Sequence, residues 1–503
     1  MPLLPLDAFD QPWPLHDAAQ SRRIETAAAA ALPPHTLMQR AGLAVARLAL
    51  AIAPHAQRIW IAAGPGNNGG DGLEAAVHLR RAGKAVQLSL AGEASALPID
   101  AAASLRRAAD AGVAIGEASA PPDRVDLAID ALLGLGATRE PEGAVATLLR
   151  ALNATAGPRL AVDLPSGLSA DTGAAFGTLV VRATHTLGLL TLKPGLFTAI
   201  GREQCGALWF DDLGCGSQAA AVPPRAQLGD ADSARHLRPA RGHAGHKGGY
   251  GDVIAVGGAP GMSGALTLAA RAALAAGAGR VFACALDSSA PTHDVLAPEL
   301  MWRPGLWHDD PTAWRDATVV CGCGGGNAVR ESLPVLLSRS ARLVLDADAL
   351  NAIAGDTALQ SQLAARASRG LATVLTPHPL EAARLLALPG TERVQANRLA
   401  AAQSLAQRFD CTVLLKGSGS VIAAPRRTPV INPTGNARLA GAGTGDVLAG
   451  WLAGLWSASS ASGAPADAVV AARAAAYWHG AAASRGDPSA PLTASALLAA
   501  LSD

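Results

Sequence analysis

Apolar residues along this chain come in short, bounded runs. Arg58–Ala63 (RIWIAA), Ala85–Gly92 (AVQLSLAG), Asp126–Gly134 (DLAIDALLG) and Arg159–Gly167 (RLAVDLPSG) each lead into glycine or small polar residues. Ala-rich segments of helical character lie between them. Runs of this kind predict buried parallel strands joined by right-handed helical crossovers. The texture changes after residue 215, where DLGCGSQAAAVPPRAQLGD loses periodicity and carries paired prolines. Residues 216–228 are therefore read as a linker. The strand pattern then restarts with DVIAVGG, RVFACA, TVVCGCG, RLVLDADAL, ATVLTPHP and TVLLKGSG. The prediction is an α/β chain of two tandem domains, residues 1–215 and 229–503. No short-period repeat is visible.

The junction after the first of these runs is unusual. Gly64–Gly72 reads GPGNNGGDG. Strand, glycine loop and helix in succession place it at the carboxyl edge of a parallel sheet, where ligands bind. Its glycines are expected to take positive φ and let a ligand approach the backbone. The helix is expected to start near Gly72 and to offer N–H groups to an anion. The spacing is neither the dinucleotide fingerprint nor a P-loop. Asp71 would repel a phosphate unless it turns away, meets a cation or caps the helix. Asp130, Asp163 and Ser166 end two further strands. Together with the asparagines they suit a cation site beside an acid/base site. Capping of the following helices is the plainer alternative for both aspartates.

In the second half, NARLAGAGTGDVLAGWLAGL (Asn436–Leu455) carries a glycine turn into an apolar helix. N–H groups at that helix start would hold a transferring phosphoryl group, and Asp446 would take a proton from the attacking hydroxyl. An N-capping aspartate is the alternative. KGSGS (Lys416–Ser420) follows a strand and suits nucleotide phosphates. His378 in TPHPLE follows another strand, and Asp346 and Asp348 sit at a third. A lone histidine there reads equally as a cap. Cys284, Cys321 and Cys323 read as packing residues.

Composition narrows the function classes. The 503 residues carry Lys+Arg 41 and Asp+Glu 40, a formal net charge of +1, without the basic excess of a nucleic-acid binder. Six cysteines without a CxxC pair point to a reduced, cytoplasmic chain lacking structural zinc. MPLLPLDAFDQPW has no basic, long apolar leader, and no uncharged apolar run is long enough to span a membrane.

GPGNNGGDG, DALLGLGATRE and VDLPSG, in this order, resemble the YjeF-type NAD(P)HX epimerase domain over residues 16–215. The resemblance implies a Rossmann-like three-layer sandwich. It implies that Asn67, Asn68, Gly69, Gly70 and Asp71, with Gly134, Leu135, Gly136, Ala137, Thr138, Arg139 and Glu140, hold the substrate. It further implies K+ on Asn68, Asp130 and Ser166, and Asp163 as the catalytic contact to the damaged nicotinamide. Leu135 departs from the family's usual threonine. Lys193 in TLKPGLF matches a recurrent family segment and would face substrate phosphates or solvent.

HKGGYGDVIAVGG, DADAL, TPHPLE, KGSG and GTGDVL resemble the ribokinase-like ADP/ATP-dependent NAD(P)HX dehydratase over residues 229–503. That implies substrate contacts from Ala265, Gly324, Gly326, His378 and the base Asp446. It implies adenine nucleotide on Lys416, Gly417, Ser418, Gly419, Ser420 and Gly445, with ADP or ATP as co-substrate and Mg2+. The family's NPGMATGG reads NARLAGAG here, and its GPGLG reads GCGGG. The joint expectation is a bifunctional repair enzyme acting on NADHX and NADPHX, cytoplasmic, homo-oligomeric, and binding neither nucleic acid nor membrane. A small-molecule kinase with an accessory first domain, and a non-enzymatic interaction module, are the rival readings.

Overall fold

A computed structural model describes residues 3–6, 9–117, 122–237, 243–305, 313–459, 466–487 and 489–502. The chain forms two compact units, Met1–Phe9 with Trp13–Gln227, and Asp10–Pro12 with Leu228–Asp503. Within the stretch read as a linker, Gly216–Ala220 is a short helix.

Among the described residues, the eight strands of the first unit's sheet are β1 (Leu4–Pro5), β2 (Arg58–Ala63), β3 (Ala85–Leu90), β4 (Ala114–Glu117), β5 (Leu127–Ala131), β6 (Arg159–Val162), β7 (His185–Leu189) and β8 (Ala207–Asp211). Their order is β1-β8-β7-β6-β5-β2-β3-β4, parallel except at β1. Alternation along β2 explains the layers. Ile59, Ile61 and Ala63 enter one core with Val45 and Leu73, while Trp60 and Ala62 enter another with Leu148 and Leu149. Both faces of the sheet are thus covered by helices, the three-layer arrangement expected. Glu74 is fully buried between helices Thr36–Ile52 and Asn67–Arg81, and Arg107 Nη2 compensates its charge at 2.7 Å.

In the second unit β9 (Asp252–Gly257), β10 (Arg280–Ala285), β11 (Met301–Trp302), β12 (Thr318–Cys321), β13 (Arg342–Leu345), β14 (Ala372–Leu375), β15 (Thr412–Leu415), β16 (Val421–Ala423) and β17 (Val430–Ile431) follow the order β11-β10-β9-β12-β13-β14-β15-β16-β17. Pairing is parallel up to β15 and antiparallel from β15 to β17. Helix Thr444–Ser459 crosses helix Ser263–Ala275 at close range. A Cβ on Gly450 would sit 2.0 Å from the Ala269 carbonyl, so only glycine fits. Arg366, 1% exposed, has its guanidinium held by the carbonyls of Leu336, Leu337, Ser340 and Ala372 and by Thr373 Oγ1. Three of those carbonyls lie in or just after the last turn of helix Val329–Arg339, where the macrodipole favours a cation.

Candidate active sites

The order of the first sheet reverses between β2 and β5, the place where open α/β sheets take ligands. Helix Asn67–Arg81 leaves β2 with Gly66 as N-cap, so it starts five residues before the position read from sequence. None of Gly64, Gly66, Gly69, Gly70 and Gly72 has positive φ. Four of them are glycine because the protein itself comes close. A Cβ on Gly64 would lie 1.7 Å from the Leu132 carbonyl, and on Gly69 2.0 Å from the Gly64 carbonyl. On Gly70 and Gly72 it would meet Met38 and Ala131, both at 2.5 Å. These contacts seat the helix start against the end of β5. Asn67, Asn68 and Asp71 line a cavity of about 880 Å³, whose other wall holds Gly134, Leu135, Gly136, Ala137, Thr138, Arg139 and Glu140. Gly69 and Gly70 pack behind them. Glu140 is also an anchor, since Oε1 accepts from Thr178 N at 3.0 Å.

Behind that cavity Asp130 and Ser166 form one fully buried unit. Ser166 Oγ donates to Asp130 Oδ1 at 2.6 Å, Ser166 N to Oδ2 at 2.8 Å and Leu132 N to Oδ1 at 3.2 Å. Burial pushes the Asp130 carboxyl up to about 6 despite these donors, and no cation pairs with it among the described residues. Asn68 Nδ2 is buried without a partner, beside Gly134. A single carboxylate with hydroxyl, carboxamide and carbonyl oxygens is a donor set that fits a hard monovalent cation.

Asp163 has φ +68, a left-handed conformation uncommon outside glycine that aspartate adopts more readily than most residues and that recurs at functional sites. Its carboxylate accepts from Leu189 N at 3.2 Å and from Lys193 Nζ. Lys193 is 1% exposed, and its ammonium also donates to the carbonyls of Leu189 and Thr191, both at 2.8 Å. It is neither a surface lysine nor free for phosphates. Glu25, which sequence reasoning missed, lines the same cavity from helix Ala18–Ala30. Burial, then the Asp163 carboxylate, raise its pKa, and burial raises that of Asp71 well above the usual range.

The second sheet reverses between β9 and β12. There Gly258 N donates to Cys323 O at 3.0 Å and Ala259 N to Gly324 O at 2.7 Å, locking the two loops together. Gly324 at φ +58 leaves room for Ala265, whose Cβ would lie 2.9 Å from a side chain at that position. Gly326 N donates to Asp348 Oδ2 at 2.8 Å. Asp446 lies in the first turn of helix Thr444–Ser459. Burial and the neighbouring Asp346 push its carboxyl up to about 6, while a hydrogen bond from the Cys323 thiol pulls it down. Cys323 therefore touches the candidate base as well as packing. Ligand atoms of Cys323, Asp346 and Asp446 all lie within 4.8 Å of one another. Sulfur is foreign to Mg2+, so Asp346 is the carboxylate that would share a Mg2+ with a nucleotide's phosphate oxygens, leaving Asp446 free to take a proton.

Lys416 Nζ donates to Asp346 Oδ1 at 2.6 Å, and Thr376 Oγ1 to the same oxygen at 2.8 Å. Burial opposes the ammonium's charge, yet Asp346 and Glu381 hold its pKa above the ordinary value. Gly445 stands beside this pair. Gly417, Ser418, Gly419 and Ser420 form the turn of the β15–β16 hairpin, with Gly417 at φ +128 against Arg398. Arg398, 1% exposed, fixes that turn through Lys416 O at 3.0 Å and was not anticipated. His378 caps helix Pro379–Leu385: Nδ1 accepts from Leu380 N at 3.1 Å. Its Nε2 lies 3.2 Å from Glu381 Oε1, and burial pushes Glu381 up to about 7.

Known proteins share both halves. A family described as YjeF-related protein N-terminus matches residues 34–195, and one described as NAD(P)H-hydrate dehydratase matches residues 253–500. The bifunctional NAD(P)H-hydrate repair enzyme Nnr of Escherichia coli (strain K12) is 35% identical over 88% of this chain and 84% of its own length. Nnr of Moorella thermoacetica is 38% identical over 90% and 88%, and a bifunctional NAD(P)H-hydrate repair enzyme of Leishmania braziliensis 36% identical over 87% and 84%. The crystal structure of the ADP/ATP-dependent NAD(P)H-hydrate dehydratase from Bacillus subtilis, co-crystallised with ATP/Mg2+, matches 53% of this chain and 94% of its own at 28% identity, with a TM-score of 0.43. With both family segments in order and relatives aligned along most of its length, the chain belongs to the bifunctional NAD(P)H-hydrate repair enzymes.

Proposed function

We propose that residues 1–215 interconvert the C6 epimers of NADHX and NADPHX, and that residues 229–503, after a linker at 216–228, dehydrate the S epimer with ADP or ATP. The observation that carries this reading is the pairing, at the sheet edge of each unit, of carboxylates with a lysine, buried in the first and half-buried in the second: Asp163 with Lys193, and Asp446 beside Asp346 and Lys416.

In the first site Asn67, Asn68, Asp71 and the Gly134–Glu140 loop bind the dinucleotide, and Asp163 manages a proton at C6. K+ on Asn68, Asp130 and Ser166 would offset the charge of Asp130 and add positive potential beneath the Gly64–Gly72 turn. In the second, Asp446 takes the proton of the C6 hydroxyl as its oxygen attacks the terminal phosphorus, and the P–O bond to the nucleotide breaks. Phosphate then leaves C6, driven by the ring-nitrogen lone pair, and loss of a C5 proton restores the dihydronicotinamide. Ala265, Gly324, Gly326 and His378 surround the ring. Lys416–Ser420 and Gly445 hold the nucleotide, whose phosphates Mg2+ would help neutralise. The free, buried cysteines favour the reducing cytoplasm, and no described helix is long and apolar enough to cross a membrane.

The test is the recovery of dihydronicotinamide absorbance from a mixed NADHX pool, with and without ADP. Wild type should consume the whole pool with ADP, and Asp163→Ala only the S fraction at comparable speed. No recovery with ADP or ATP, or accumulation of a phosphorylated product, would overturn the reading.

A further inference from the structure

One wall of the first cavity is covered by no motif. Helix Ala18–Ala30 precedes the family-matched segment, which begins at residue 34. Asp17 and Gln20 cap it reciprocally, and Ile24 and Ala28 bury its inner face. Ser21 Oγ lies 2.8 Å from Thr191 Oγ1, on the turn that leads to Lys193. Arg22 Nη2 donates to Leu135 O at 3.1 Å, tying the helix to the substrate loop. One helical turn beyond Ser21, on the same face, stands Glu25. It lines the cavity with Asp71, Asp163 and Lys193. Three carboxyl groups from three separate elements therefore share the neighbourhood of one ammonium.

That ammonium is fully committed. Lysine has three N–H donors, and those of Lys193 go to Asp163, Leu189 O and Thr191 O. Of the three carboxyl groups, Asp163 is the one paired with it. Glu25 has no ion-pair partner among the described residues. We propose that Glu25 is the proton donor of the epimerisation and Asp163 its proton acceptor. This rests on the epimerase reading of the first unit. The Glu25 carboxyl gives its proton to the C6 hydroxyl oxygen. The C6–O bond breaks, its electron pair leaves with water, and the ring-nitrogen lone pair forms N=C6. Water then adds to the opposite face of C6, the N=C6 pair returns to nitrogen, and the proton shed by that water passes to Asp163. The two carboxyls have exchanged states and serve the reverse direction in exchanged roles.

The charges facing Glu25 support this division. Burial comes first, then Asp163, in raising its pKa, against Lys193 and Arg22. Asp71 is the competing donor. Burial, then Asp163 and Glu25, hold it well above the carboxylate range. Glu25 is the carboxyl group that the helix fixed by Ser21 and Arg22 brings to the wall beside the Gly134–Glu140 loop.

The experiment uses the full chain with excess ADP and mixed epimers, so that the slow phase reports epimerisation and the fast phase reports the second unit. Glu25→Gln should leave the fast phase unchanged and slow the slow phase by about 100-fold or more, with its KM preserved. Wild type should lose epimerisation on an alkaline limb, and Glu25→Asp should restore that limb at a shifted pH. A slow phase in Glu25→Gln within twofold of wild type, with an unchanged pH profile, would overturn the proposal. So would loss of the alkaline limb in Asp71→Asn but not in Glu25→Gln. A wild type without a slow phase faster than spontaneous epimerisation would instead remove the underlying reading, and the proposal with it.

Discussion

Each unit sets a lysine among carboxylates at its strand ends, Lys193 buried and Lys416 half-buried, and the lysine chooses a different partner. In the first, Lys193 pairs with Asp163, the residue proposed to take the proton. Its unpaired neighbours Glu25 and Asp71 carry the raised pKa values. In the second, Lys416 pairs with Asp346, and Asp446 is left with burial, Asp346 and a thiol, at about 6. One lysine thus holds the proposed proton acceptor; the other holds a neighbour of the proposed base. Left-handed backbone accompanies both, at Asp163 itself and at Ala347 directly after Asp346. A base near 6 is ionised at neutral pH, yet accepts a proton more readily than an ordinary carboxylate.

The largest break in this comparison is Asp446→Asn. An amide cannot take the proton, so dehydration should fall by on the order of 10²–10⁴ while epimerisation continues. In wild type, dehydration should decline as pH falls through about 6, because the protonated carboxyl is not a base. Near-normal turnover by the variant in a single-turnover assay would discard Asp446 as base.

Next comes Lys193→Met. It removes the partner of a nearly buried carboxylate and empties two carbonyl contacts. Breaking a buried pair from one side costs about 3–5 kcal/mol. Calorimetry should show the first unit melting earlier and the second unit unmoved. An unchanged first transition would mean that Lys193 is dispensable packing.

Asp130→Asn probes the proposed potassium site at smaller amplitude. Potassium at ten times its dissociation constant should stabilise the wild type by about 1.4 kcal/mol, and lithium should not match it. The amide should abolish the difference. Equal melting in both salts for the wild type would remove the site.

Much of this was legible in the sequence, and the losses have physical causes. The strands, the three-layer first unit and the convergence of the two loops with Asp130, Asp163 and Ser166 followed from runs and motifs. The helix start was misplaced because glycine lowers helix propensity, whereas here Met38 and Ala131 demand glycine inside the first turns. The residues that demand it lie far along the chain, so no local rule reveals them. Lys193 looked exposed, as lysines usually are, and two of its acceptors are main-chain carbonyls without a sequence signature. Glu25 sits in RRIETAAAA, which reads as a solvated helical face. The Ser21–Thr191 and Arg22–Leu135 contacts, with buried Ile24 and Ala28, turn that face inward.

The smallest effect is expected from Cys323→Ala, and it separates the two sites most finely. Where related sequences have proline in GPGLG, this chain has a thiol in GCGGG. Proline's side chain offers no donor, whereas the Cys323 thiol, 3% exposed, hydrogen-bonds to Asp446. Burial, then Asp446 and Asp346, hold that thiol well above its ordinary pKa, so it stays protonated and acts as donor. A hydrogen bond to the charged form favours that form. Losing it disfavours the Asp446 anion, raises its pKa and moves the acid limb of dehydration to higher pH. Hydrogen bonds to charged groups contribute about 1.5–3 kcal/mol, and a thiol is a weak donor, so the shift should be about one pH unit or less. Epimerisation, with no thiol beside Asp163, should keep its profile. A dehydration limb that stays in place, or moves to lower pH, would reduce Cys323 to packing and leave burial and the charges of Asp346, Lys416 and Asp348 setting the base.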